Sequence, residues 1–467
     1  MPTAIPLRLR DVPRSVPAET IRKGLRLLSP KVGILTDLGA GMHITGDPSC
    51  FVIGNQVCDP SRLVEQRPHV DRSGSAGLTL DRAIAGAMGE AVERYCMRFY
   101  WDDELVFGSF DELKGSYHCV DPELARLHSP EQIAEKGGVN ALGGYGRTQV
   151  FSGTSKVRWA TGYSLTHQRP ALVPAHQVYI PYVTRADEDR TGWNSSTGLA
   201  AGNTLEEAIH SGICEWLERD AFVISWLNRF VPREVEVDDP ALLALMRERF
   251  NYGHPGVDLR VYDTTLDIGV PSAFVWMVAP TDFGTGVYVG AACRPSPREA
   301  VTKALVELAQ CVPYCRMTVH KNVAWTPRDD FTDVKDFERH SIFYMKRLDL
   351  VDEAFRHLRD ARSRRVKLSE MTDCSTGRVL SDIDAMVAEI GRHGYEVLVV
   401  DVTTDDVREV GLHAVRVLIP GLQNLHSNHN WPCLGVDRVA QVPRALGWEA
   451  MGWDPEAGIN PFPHPFP

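Results

Sequence analysis

The sequence predicts an α+β fold with mixed and antiparallel sheets, and three observations carry that prediction. Strand-patterned and helix-patterned stretches are interleaved without regular alternation, which argues against a doubly wound parallel sheet. Two helical stretches repeat each other at a fixed offset. No Gly-x-x-x-x-Gly-Lys-Ser/Thr loop occurs, and no Gly-x-Gly-x-x-Gly follows a strand, so the Walker and dinucleotide-binding folds lose their signature. In chain order, residues 18–29 (AETIRKGLRLLS) read as a short amphipathic helix and 49–59 (SCFVIGNQVCD) as a strand. A helix is expected over 79–98. The stretch 131–150 is Gly-rich and reads as irregular, and 156–165 (KVRWATGYSL) and 170–183 (PALVPAHQVYIPYV) read as strands. A long helix is expected over 205–228, a strand at 286–293, and a helix over 297–312 that Pro313 should stop. A helix near 381–393 and two buried strands, YEVLVVDV and AVRVLIP, complete the pattern.

Composition narrows the class. The chain has 467 residues, with 43% hydrophobic and 24% charged, which is ordinary for a globular protein. Fifty Lys and Arg against 61 Asp and Glu give a net charge of −11, which disfavours bulk electrostatic binding of nucleic acid. No apolar run is long enough for a membrane span and the N-terminus has no signal core, so a cytoplasmic protein is expected. The ten cysteines contain no Cys-x-x-Cys pair. Cys311 and Cys315, one turn apart, read as buried reduced thiols rather than a metal or redox pair. His426, His429 and Cys433 sit in a loop where hydrogen bonding is the expected role. Asp401 follows a strand and is either a strand-end cap or a site residue.

The repeat is the most informative feature. Thr79 to Arg94 aligns without a gap on Thr204 to Arg219 at an offset of 125, with seven of sixteen positions identical. Each copy follows a Gly-Leu pair, Gly77-Leu78 and Gly198-Leu199, and each ends Glu-x-x-Glu-Arg. At about 100° per residue, Asn203, Glu207, Ser211, Glu215 and Glu218 share one narrow polar seam on a helix that is otherwise apolar. Such a helix should be mostly buried, so the seam faces a cleft, where clustered like charges demand a cation. Glu90 and Glu93 lie on one face of the first helix beside Arg94. Five carboxylates from two related helices suit Mg²⁺, while Arg94 and Arg219 suit carboxylates or phosphates. The competing reading is a pair of surface salt-bridge lattices.

These residues carry a resemblance. Ser196 through Ala221 is similar to the signature of the YcaO family, and Gly77 through Arg94 resembles that family's first nucleotide-binding helix. The similarity continues through Trp159, Pro174…Tyr179-Ile-Pro-Tyr, Lys303 to Gln310 and Val417 to Gln423. It implies a YcaO-type fold in which helices, without a Walker loop, carry ATP and Mg²⁺. By that pattern Glu90, Glu93, Glu207, Glu215 and Glu218 hold Mg²⁺ and phosphates, Asn203 contacts the nucleotide and Arg219 meets the phosphates. Ser211 stands where a glutamine lies near the base, and Lys303 where an arginine approaches the phosphates. Gly86 and Ala200 replace serines, and Ser75-Ala76-Gly77 replaces Gly-Lys-Gly. The resemblance divides the chain into an N-terminal segment, 1–65, and a YcaO domain, 66–467.

The C-terminal run NPFPHPFP cannot be helical and favours a stiff extended strut. A Pro-x-Pro-x-Pro terminus resembles the azoline-forming branch of the family, which implies that the Pro467 carboxylate reaches the site as base or orienter. The implied activity is ATP-dependent cyclodehydration of a ribosomally made precursor peptide to thiazolines or oxazolines. The same activation with another nucleophile would give a thioamide or amidine. A non-catalytic nucleotide-binding scaffold is the reading from another class. Truncation of the last five residues is expected to leave the fold intact. The implied partners are the precursor peptide, a leader-binding protein of the ubiquitin-activating-enzyme-like kind, a flavin dehydrogenase and a second copy as a homodimer.

Overall fold

The computed structural model describes residues 7–64, 71–135, 148–192, 195–361 and 364–466. The expected irregular stretch 131–150 lies largely outside them, and Pro130–Glu135 at its start is a short helix. Among the described residues fourteen strands occur: β1 Leu35–Ala40, β2 Phe51–Val57, β3 Arg72–Gly77, β4 Val106–Gly108, β5 Val157–Ser164, β6 Arg169–Pro174, β7 Leu199–Gly202, β8 Arg233–Glu236, β9 Asp258–Asp263, β10 Ser272–Thr281, β11 Gly284–Cys293, β12 Arg365–Lys367, β13 Leu398–Asp401 and β14 His413–Leu418. The helices of eight or more residues are α1 Pro17–Gly24, α2 Leu80–Cys96, α3 Leu205–Leu227, α4 Pro240–Arg249, α5 Pro297–Lys321, α6 Phe337–Lys346, α7 Val379–Arg392 and α8 Arg438–Ala445. They make three sheets: β1-β2-β3; β11-β10-β9-β8-β12; and β4-β5-β13-β14-β7, with β6 on β5. Pairing is antiparallel throughout, except that β12 runs parallel to β8. The expected α+β class is the observed one.

The third sheet explains why β13 and β14 read as nearly continuous apolar runs. Leu398, Val400, Ala414 and Leu418 point to one face and pack with Met88, Ala91, Val92 and Tyr95 of α2. Val397, Val399, Val415 and Val417 point to the other and pack with Ile209, Ile213, Trp216 and Leu217 of α3. A sheet covered on both faces loses the polar half of its period-2 pattern. Helix α3 then runs on to the second sheet, where Phe222, Val223, Trp226 and Leu227 meet Phe274 and Trp276. One helix thus spans two cores, with the acidic seam along it.

The internal repeat is real in three dimensions. Thr79 caps α2 by accepting from Arg82 N at 3.3 Å, and Thr204 caps α3 by accepting from Glu207 N at 3.1 Å. A Cβ on Gly77 would lie 2.6 Å from Ala83 N and 2.9 Å from Thr79 O; on Gly202 it would lie 2.7 Å from both Ala208 N and Thr204 O. These are the same atoms shifted by 125 residues, and each marks a strand turning directly into a helix. The glycine equivalent to Gly77 is therefore Gly202, not Gly198 as the Gly-Leu pairs suggested. Gly198 has its own reason: it sits at φ +82, against Val417 O and the Trp216 indole.

Two boundaries depart from expectation. Helix α5 passes through Pro313 and ends at Lys321. The proline forfeits one backbone bond and costs about 3 kcal/mol in a helix interior. Burial of Cys311, Val312 and Cys315 against the second sheet offsets it, at about 1.5–3 kcal/mol for a fully buried apolar side chain. The segment 170–183 is a strand only to Pro174; Ala175–Val178 form a buried helical turn. All ten cysteines are free thiols, and Cys311 and Cys315 are buried. Among the described residues no helix is long and apolar enough to cross a membrane.

Replacing Gly198 with alanine should force a Cβ into Val417 O and the Trp216 indole, break the Trp216 Nε1 to Val417 O bond of 2.7 Å, and cost about 3 kcal/mol. Urea unfolding measures this, and a loss below about 1 kcal/mol would contradict the argument.

Candidate active site

The acidic seam faces inward. Glu93 of α2 accepts from Ala201 N at 2.9 Å, and Glu215 of α3 accepts from Gly198 N at 3.1 Å. The segment 198–201, at the edge strand β7, is therefore gripped from two helices. The ion pairs repeat as well: Arg94 meets Glu90 at 2.5 Å and Arg219 meets Glu215 at 3.5 Å, both one helical turn back. Arg219 also lies 3.0 Å from Glu218, yet Glu218 Oε1 and Arg219 Nη1 are buried without a hydrogen bond.

Burial decides the electrostatics. It pushes the Glu93 carboxyl well above the carboxylate range, helped by Glu90 and Glu215 and opposed by Arg94. Glu215 is raised for the same first reason, with Arg219 opposing. Glu218 is pushed up to about 8, by burial and then by Glu307, with Arg219 opposing. Glu90, Glu93, Arg94, Glu215, Glu218 and Arg219 thus form one interacting group. Buried carboxylates with raised proton affinity and an orphaned oxygen are a donor set that asks for a cation. Among the described residues these glutamates do not converge as three ligand atoms within 4.8 Å. That suits Mg²⁺, which keeps several waters and takes one or two carboxylates plus phosphate oxygens.

The other expected residues separate from this group. Glu207 sits at the start of α3, where its oxygens accept from Ser15 N at 2.6 Å and Asn203 N at 3.2 Å. Eight residues before Glu215, it lies about 12 Å up the helix. Asn203 is buried; its Nδ2 donates to Thr20 Oγ1 at 2.5 Å, Lys23 Nζ donates to its carbonyl at 3.3 Å, and its Oδ1 has no hydrogen bond. Ser211 lies between, half-buried on α3. Lys303 is half-exposed on α5 and pairs with Glu307 at 3.0 Å. Gly86 has a local reason: a Cβ there would collide with the Ser75 hydroxyl. Asp401 is a strand-end cap, accepting from Thr403 N at 3.0 Å.

Several participants were missed. Arg416 of β14 is buried on the α2 face, donates to Ser195 O at 2.6 Å, and is pulled down to about 9 by burial and by Arg94. An arginine inside the apolar run AVRVLIP was the available signal. Arg294 and Glu307 reach Glu218 electrostatically; Glu307 lies in the matched stretch Lys303 to Gln310 but was given no role there, and nothing in the local pattern marked Arg294. The C-terminal run is buried, not a free tail. Tyr344 donates to Pro463 O at 2.7 Å, the His464 and His340 rings stack at 3.8 Å, and Trp226 Nε1 donates to Phe462 O at 3.2 Å. Phe466 lies 4.4 Å from the Arg219 guanidinium, face to cation. Deletion of the last five residues would remove core, contrary to the expectation above. Pro467 lies outside the described residues. His426 accepts from His464 through its carbonyl at 2.7 Å, as a loop anchor does.

The chain is similar to known proteins in sequence and in fold. The family model "YcaO cyclodehydratase, ATP- and Mg²⁺-binding" matches residues 74–423. An uncharacterized protein of Methanothermobacter thermautotrophicus is 30% identical over 354 residues, covering 74% of this chain and 80% of that protein. The microcin B17-processing protein McbD of Escherichia coli is 25% identical over 252 residues, half of this chain and 56% of that protein. A solved heterocyclase in complex with substrate and cofactor superposes at a TM-score of 0.77 with 25% identity over 99% of this chain; the chain spans 59% of that longer one. The chain belongs to the YcaO family, and ATP and Mg²⁺ are its cofactors.

The raised Glu218 has a signed consequence. Its folded pKa exceeds its unfolded one, so the folded state holds a proton the unfolded state has lost between about pH 4.5 and 8. Stability of the metal-free protein should therefore fall as pH rises through that window, and Glu218→Gln should flatten the fall. Thermal melts at pH 5 and pH 8 measure it; an identical slope in the variant would contradict the assignment.

Proposed function

We propose that this chain is an ATP-dependent cyclodehydratase that converts Cys, Ser or Thr residues of a ribosomally made precursor peptide into thiazolines or oxazolines. The observation that carries the reading is the desolvated carboxylate group shared by α2 and α3, with the C-terminal run packed onto its arginine. Membership of a family described as cyclodehydratases and likeness to McbD and to a heterocyclase support it.

ATP with Mg²⁺ supplies a phosphoryl group that turns an amide oxygen into a leaving group. The chain's residues bind and orient. Glu90, Glu93, Glu215 and Glu218 hold the ion, and Glu207 with Asn203 and Ser211 faces the nucleoside end of the seam. Arg219, fixed between Glu215, Glu218 and the Phe466 ring, holds positive charge where phosphate charge collects; Arg94 and Lys303 extend that field. Buried surroundings strengthen these interactions and keep water from competing for the activated amide. The Pro467 carboxylate takes the proton from the attacking thiol or hydroxyl. A leader-binding partner protein presents the precursor.

Glu93→Gln and Glu218→Gln should each lower ATP turnover by about 100-fold or more while the protein stays folded. Phosphate release measures this, and unchanged turnover would refute the metal assignment. With partner and precursor present, mass spectrometry should show loss of one water per ring. An oxygen-to-sulfur exchange would instead reassign the nucleophile.

A further inference from the structure

A second cluster of metal-ligating side chains lies apart from the acidic seam. His118, His167 and Glu396 each bring one ligand atom to within 4.8 Å of the others, the set of this kind found among the described residues. They come from three segments that the backbone already locks together. Leu172 N donates to His118 O at 2.7 Å, and the next residue, Cys119, bridges to Leu172. His167 lies in the turn between β5 and β6, its N–H donating to Ser164 Oγ at 3.0 Å. Glu396 precedes β13, where Val397 N donates to Thr166 Oγ1 at 2.9 Å and Val397 O accepts from Leu165 N at 2.9 Å. The donors are thus held in place before any ion arrives, which lowers the ordering cost of binding.

His118 Nε2 lies 2.6 Å and His167 Nε2 3.9 Å from the same Glu396 oxygen. The two rings meet edge to face at 5.4 Å. We propose that these three residues form a site for a divalent transition metal, with zinc the best fit, separate from the ATP and Mg²⁺ site. Two imidazoles and a carboxylate match zinc, whereas Mg²⁺ prefers oxygen alone. Tetrahedral ligands at about 2.0–2.1 Å from zinc lie about 3.3 Å apart, so Glu396 recedes from His118 and His167 closes in, each by under about 1 Å. His167 is half-exposed and leaves the fourth position open to water.

Arg169 sets the chemistry of loading. Its Nη2 donates to His118 Nδ1 at 2.9 Å, which fixes the imidazole proton on Nε2, in the bond to Glu396. Metal at Nε2 needs that proton on Nδ1, so the tautomer exchanges and Arg169 lets go, with no net change in the ring's proton count. Arg169 is exposed, so its release gives up only a surface hydrogen bond. The bound ion would then pin the residue-118 segment, the β5–β6 turn and the start of β13 to one another.

The test is calorimetric titration of zinc into the chelator-treated full chain in excess Mg²⁺, which saturates the carboxylate site. One zinc per chain is expected, with affinity lowered about 100-fold in His118→Ala and in His167→Ala and unchanged in Glu218→Gln. Arg169→Ala should bind at least as tightly as the parent. Absence of saturable zinc binding, wild-type affinity in both histidine variants, or weaker binding in Arg169→Ala would overturn the site.

Discussion

Carboxylates desolvated between two helices and one strand edge are the constraint around which this protein is arranged. Burying a charge without a partner is costly, and neutralisation by protonation is the escape open to it. Here α2 and α3 each commit a glutamate, Glu93 and Glu215, to a backbone N–H of the segment 198–201, and each pairs an Arg with the glutamate one turn back, Glu90 in α2 and Glu215 itself in α3. These contacts reduce the cost but do not remove it, since burial remains the first cause of the shifts of Glu93, Glu215 and Glu218. The unspent affinity is for a cation, which makes the stability of the fold and the loading of the site one problem.

The scaffold keeps this arrangement rigid. The sheet β4-β5-β13-β14-β7 takes α2 on one face and α3 on the other, so the two acidic helices approach each other around its β7 edge. Helix α3 is further held at both ends. The N-terminal segment bonds to Asn203 and Glu207 at its start, and the C-terminal run packs Phe466 on Arg219 and Phe222 and accepts a hydrogen bond from Trp226. The two copies of the repeat have diverged in keeping with these neighbours: Arg94 closes tightly on Glu90, while Arg219 divides its charge among Glu215, Glu218 and the Phe466 ring.

How much the sequence revealed depended on how local each signal was. The repeat that begins at Thr79 and Thr204, the seam glutamates and the apolar runs of β13 and β14 lie in short windows with a fixed period, so they were legible. Pro313 misled because its penalty is local while the burial that overrides it comes from a distant sheet. Gly198 was paired with Gly77 on the shared Gly-Leu, although the offset of 125 leads to Gly202; the strand-to-helix contacts that make Gly77 and Gly202 equivalent exist only once both elements are packed. Arg416 and Arg294 reach the site only through strand pairing and helix packing, and Phe466 through a chain separation of nearly 250 residues from Arg219. The offset of 125, by contrast, was a property of the sequence alone.

The central claim is that the carboxylates of α2 and α3 close on one metal–nucleotide complex. Crystals grown with Mn²⁺ and a non-hydrolysable ATP analogue address it directly through the anomalous signal of manganese. The account requires manganese bridging Glu90 or Glu93 and Glu215 or Glu218, with the phosphates beside Arg219. Nucleotide density elsewhere on the protein, or manganese bound to one helix alone, would contradict it.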